Sequence, residues 1–83
     1  MGNIDKLLLK ILSGTSDANI SFDDLCNILK NLDFELRTKG SHHVFRKVGV
    51  DEKINLQKDG AKAKPYQVRQ VRDILVRNRL TGG

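Results

Sequence analysis

Tryptophan is absent from this chain, aromatic residues make up only 5% of it, and cysteine, methionine and proline occur once each. The missing aromatics leave Leu, Ile and Val to build the interior. A single cysteine, Cys26, excludes an intrachain disulfide and points to a reducing compartment. It falls in an apolar helical stripe, which suits a small buried hydrophobe better than a nucleophile. There is no long hydrophobic run. Leu7-Leu8-Leu9 is bracketed by Lys6 and Lys10, far short of the ~20 apolar residues that a membrane span needs. Neither a signal peptide nor a span is visible, and a cytoplasmic protein is expected. Internal repeats and low-complexity tracts are also missing. At 83 residues the chain is one domain, 1–83, with a modest core.

What is present is positive charge, unevenly spread. From Met1 to Leu36 three Lys/Arg stand against six Asp/Glu, giving −3; from Arg37 to Gly83 twelve stand against four, giving +8. A concentrated positive field attracts nucleic acid or acidic protein and speeds encounter. The plain alternative is a lysine-rich, well-solvated surface.

Apolar periodicity organises the rest. Met1 to Asn3 read as a frayed start. Ile4, Leu7, Leu8 and Ile11 recur at helical spacing, and Ser13-Gly14 ends that segment, giving a helix over 4–14. Thr15 to Ile20 read as a polar loop. Ser21 suits the N-cap of a second helix, with Asp24 three residues on, and Phe22, Leu25, Leu29 and Leu32 mark its face. Alternation then predicts strands over 34–38, 42–48 and 53–58, separated by the short turns Lys39-Gly40-Ser41 and Gly49 to Glu52. Short turns favour an antiparallel sheet in the order one-two-three. Asp59 to Lys64 form a loop. Pro65 suits the first turn of a last helix with Val68, Val71 and Leu75 as its face, Ile74 beside them, and Arg69, Arg72, Arg77 and Arg79 outside that stripe. Thr81 to Gly83 read as a loose tail. The expected fold is α+β. Without its first helix it is α-β-β-β-α, two helices on a three-stranded antiparallel meander, the layout of the double-stranded-RNA-binding domain.

The two histidines, His42 and His43, are the only ones in the chain and follow the Gly40-Ser41 turn. An imidazole has an unperturbed pKa of about 6.5 and exchanges protons near neutral pH. In a basic half-chain, this pair suggests chemistry on, or recognition of, a phosphate-bearing polymer. Adjacent strand residues face opposite ways, so the two cannot easily share one metal ion, and acidic residues near them are scarce. No metal or other cofactor is expected. Strand parity raises a difficulty: His43 shares a face with Phe45. If Phe45 is core, His43 must lie at the strand's end to stay reachable.

The segment Phe34 to Thr38, the run Lys39-Gly40-Ser41-His42-His43-Val44-Phe45-Arg46, the strand Ile54-Asn55-Leu56, and Lys62 to Tyr66 followed by Val68 to Leu75 resemble the HicA (YcfA-like) toxins of bacterial toxin-antitoxin pairs. The resemblance runs from about Ser21 to Leu80, so the core is 21–80 and the helix 4–14 an extension. It implies a small messenger-RNA interferase with a double-stranded-RNA-binding-like fold, silenced by a HicB antitoxin. It also implies that His43 is the histidine tied to cleavage, with His42 as a neighbour that assists. The extra helix leaves oligomeric state and the antitoxin interface open.

On that footing the chemistry can be stated. RNA carries its own nucleophile, the 2′-OH. A histidine moves protons to and from the reacting oxygens, contributing about 10²–10⁴-fold, while cations stabilise the phosphorane. His43 takes the general-base or general-acid role, Ser41 and the amides around Gly40 contact a phosphate oxygen, and Lys39 and Arg46 supply charge nearby. Lys62 and Lys64, with the start of the last helix, contact RNA backbone, and Arg69 is the best arginine for the same task. Each has a plainer alternative: a half-buried strand histidine bonded to a carbonyl for His43, a solvent-facing residue for His42, a turn hydroxyl for Ser41, a positive φ for Gly40, and solvated charge for the lysines and arginines. Two rival functions fit the same layout. One is a non-catalytic RNA-binding module, and the other an adaptor whose basic face takes an acidic protein.

Overall fold

The computed structural model describes residues 2–80, with side chains described from Asp5 onward. The loose tail expected at 81–83 and the side chain of Ile4 lie outside the described residues. The elements are α1 (Gly2–Ser13), a 3-10 turn (Asp17–Asn19), α2 (Phe22–Asn31), β1 (Glu35–Lys39), β2 (His42–Arg46), β3 (Ile54–Gln57) and α3 (Pro65–Arg77). The fold is α+β, with one antiparallel sheet of order β1-β2-β3, as the short turns require.

Local chemistry accounts for the boundaries. The Ser21 hydroxyl accepts the Asp24 N–H at 3.0 Å, capping α2, and Asp23 and Asp24 sit in its positive first turn. Asp33 takes a left-handed conformation (φ 69°) beyond the end of α2, and the Phe34 amide returns to the Leu29 carbonyl at 3.0 Å. Several boundaries differ from expectation: β1 starts and ends one residue later than 34–38, so Lys39 closes the strand instead of opening the turn, and β3 is one residue shorter at each end than 53–58. α1 begins at Gly2 rather than Ile4. β2 stops at Arg46, where a turn closed by Val50 N–H on the Lys47 carbonyl leads the chain away and leaves Val48 fully exposed.

One face of the sheet carries the core. Phe45, Ile54 and Leu56 are fully buried against Phe22, Leu25 and Leu29 of α2 and Val68, Val71 and Leu75 of α3. α1 adds Leu8 and Ile11 from its contacts with α2 and α3. Burying a large apolar side chain is worth about 1.5–3 kcal/mol, so these residues supply most of the stabilisation of a domain this small.

Two polar devices were not foreseen. Arg72 is not a surface solubiliser. It grips Asp17 with both terminal nitrogens (2.9 and 3.2 Å) and donates to the Ile11 carbonyl at 3.2 Å. This joins the end of α1, the 3-10 turn and α3, and the Asp17 carboxylate holds the guanidinium above its ordinary pKa. Gly14, beside that clamp, has φ +72°, and a Cβ there would stand 3.2 Å from the guanidinium. The second device is Gln67. Its buried side chain accepts the Lys64 N–H at 3.1 Å and donates to the Gln57 carbonyl at 3.0 Å, tying the start of α3 to the end of β3. No helix among the described residues is long and apolar enough to cross a membrane.

Candidate functional site

The pleat sends His42 and His43 to opposite sides. In register, His43 stands between Thr38 on β1 and Leu56 on β3; His42 stands between Lys39 and Gln57. Leu56 is core, so His43 is on the helix-covered face with Phe45. It stays half-buried rather than sealed because it sits at the start of β2, where the covering helices give out. The parity difficulty is thereby resolved by position along the strand.

The His43 ring packs edge-on against Phe22, the first residue of α2, with centroids 5.0 Å apart and planes at 80°. Such a pair is worth about 0.5–1.5 kcal/mol beyond area burial and fixes the plane of the ring. Nδ1 lies 3.4 Å from the Ser41 carbonyl oxygen, a long contact. The tautomer with its proton on Nδ1 makes that contact and leaves Nε2 as the acceptor. The same carbonyl accepts the Lys58 N–H at 2.9 Å, which holds the turn against the segment that follows β3. Gly40 has φ +61°, and a Cβ there would meet nothing within 4 Å. Glycine is therefore required for its dihedral, as in two-residue hairpins with glycine first, and not to make room.

A groove opens in front of the ring, between α2 and the sheet, lined by Phe22, Asp23, Cys26, Asn27, Lys30, Leu36 and His43. Lys30 brings an ammonium from α2. Lys58 does not line the groove, but its Nζ stands 3.9 Å from the carboxylate of Asp23, which does. These cations are the ones the sequence reading missed. They lie 13 residues before and 15 after His43 in the chain, and only the packing of α2 across the sheet reveals them. Cys26 shares the groove but is no thiolate. Burial pushes its thiol up to about 11, against the lowering pull of Lys30 and Lys58, so it is protonated at neutral pH.

The other expected site residues separate into groups. Gly40 and Ser41 are beside His43, and the Ser41 hydroxyl is exposed and free of any hydrogen bond among the described residues. Lys62 is one bridge from the groove: its backbone pairs with Ser21, and its Nζ donates to Asn19 at 3.4 Å. Lys64 is held in an ion pair with Asp59 at 3.0 Å. Lys39 and Arg46 are not near His43. They share the outer face with His42, and Arg46 is at the far end of β2, opposite Glu35. Arg69 belongs to a separate groove with Tyr66, Asp73, Glu52 and Lys53. Among the described residues no group of three or more His, Cys, Asp or Glu is placed to hold a metal ion.

The His43 groove thus offers one imidazole with a free nitrogen, the Lys30 ammonium, a carboxamide and the Asp23 carboxylate, with the Lys58 ammonium held against that carboxylate. Such a set can shift a proton beside a phosphate and offset the charge that builds there. Comparison with protein-family models, with curated proteins and with solved structures returns no match for this chain.

Proposed function

We propose that this chain is a toxin of the HicA kind: a messenger-RNA interferase of double-stranded-RNA-binding-like fold that cuts single RNA strands through His43 and is silenced by a HicB-like antitoxin. The observation that carries the reading is the position of His43. It is the one histidine on the helix-covered face, oriented by Phe22, and it opens into a groove lined by Lys30, with Lys58 held beside it by Asp23.

In this mechanism the substrate's 2′-OH is the nucleophile. His43 Nε2 accepts its proton as the 2′-oxygen attacks phosphorus, and the departing 5′-oxygen takes a proton from the imidazolium so formed or from water. Lys30 and Lys58 neutralise the developing phosphorane, and the Ser41 hydroxyl contacts a non-bridging oxygen. The nucleophile comes with the substrate, so no metal is needed to generate it. The antitoxin acts by covering the groove.

Induced expression of the wild-type chain in growing bacteria should arrest growth with loss of intact messenger RNA. A folded His43→Ala chain, with an unchanged circular dichroism spectrum, should do neither. Undiminished growth arrest and RNA loss with that variant would overturn the assignment. The non-catalytic RNA-binding module predicts salt-sensitive binding without cleavage in either chain.

A further inference from the structure

The outer face of the sheet is uncovered, and it gathers four cations that have no ion-pair partner among the described residues. A shallow groove there is lined by Glu35, Arg37, Lys39, Val44, Arg46 and Lys53, four cations to one carboxylate. Among the described residues none of these four cations is in an ion pair, whereas Lys47, Lys58, Lys64, Arg72 and Arg77 all are. His42, Asn55 and Gln57 add donors on the same face by register. The face has no Phe, Tyr or Trp and only Val44 as an apolar contact. Protein interfaces are built on apolar and aromatic centres and are depleted in lysine. Contacts to a polynucleotide backbone come from arginine, lysine and amide donors.

We propose that this face is a track for the backbone of single-stranded RNA, leading past His42 and round the Gly40-Ser41 turn to the His43 groove. The inference rests on the proposed function and extends the substrate contact to a second surface. Same-face residues on one strand are about 6–7 Å apart, a spacing of the order of one extended nucleotide, so Arg37 and Lys39 meet successive phosphates. Lys53 lines both this groove and the one that holds Arg69, which extends the cationic track round the β3 edge. With His42 as its one ring for stacking and no Phe, Tyr or Trp, the track reads mainly charge and tolerates any base.

The test uses the full chain carrying His43→Ala, so that binding is measured without cleavage. The probe is a labelled 12-nucleotide single-stranded RNA of mixed sequence, titrated over a series of salt concentrations. Adding Arg37→Gln and Lys53→Gln should lower affinity and flatten the slope of log K against log salt by about 1.4, two charges at about 0.7 each. Adding Lys6→Gln and Lys10→Gln instead removes the same net charge from α1, which packs on the helices, and should leave the slope unchanged. Equal slopes for the two double variants would overturn the track, as would tighter binding of a polyglutamate of equal length, which would assign the face to an acidic protein. The two proposals fail separately. Cleavage by the wild type with no outer-face salt effect removes the track alone; the salt effect without cleavage removes the interferase alone.

Discussion

His42 and His43 are joined by one peptide bond and live on different surfaces. His43 faces the helices, half-buried, with its ring set by Phe22, Lys30 in its groove and Lys58 held beside it. His42 faces outward, exposed, between Lys39 and Gln57 on an open cationic sheet. Identical side chains thus acquire distinct surroundings once the pleat sends them to opposite faces. The inner position has a fixed ring plane and a defined nitrogen, as proton transfer needs. The outer position has only charge and solvent, as backbone contact needs.

That contrast can be broken by substitution. The largest effect is expected from the histidines themselves. His43→Ala should cut RNA cleavage by about 10²-fold or more, and His42→Ala by less than about tenfold, acting on affinity. Equal losses, measured as kcat/KM on one oligonucleotide, would erase the distinction. Next comes Lys30→Gln, which removes a groove ammonium without touching the outer face. About a tenfold fall in kcat is expected, with little change in the salt slope of binding. Phe22→Leu keeps an apolar side chain at the start of α2 but frees the imidazole. It should lower kcat several-fold and stability by about 1 kcal/mol, read from thermal melting. Arg72→Ala tests the clamped cations against the free ones: it should cost about 1–3 kcal/mol of stability while the refolded protein binds RNA with an unchanged salt slope. The smallest effect concerns Cys26. Its buried, protonated thiol should resist iodoacetamide at pH 7.5 in the folded protein and react on unfolding.

Much of the fold was legible because it depends on near neighbours. The Ser21 cap, the apolar stripe of α2, the Pro65 start of α3 and the strand order all follow from local periodicity and short turns. Lys39 and Arg46, expected to supply charge near His43, lie on the opposite face of the sheet from it, and the signal for this is in the sequence. Residues 42 and 46 share a parity that 43 does not, and Lys39 pairs in register with His42. Other features were not legible. Asp17 and Arg72 are 55 residues apart, and Gln67 reaches Gln57 only because α3 folds back on β3. Lys30 enters the His43 groove, and Lys58 comes beside it, by packing, which no local pattern encodes.

In the proposed mechanism an imidazole on the covered face handles the protons of RNA's own 2′-OH. Single-turnover incubation of the wild-type chain, in EDTA, with an RNA oligonucleotide and with the same sequence lacking every 2′-OH tests this. The RNA should be cut and its deoxy counterpart stay intact; cleavage of both, or of neither, would refute the mechanism.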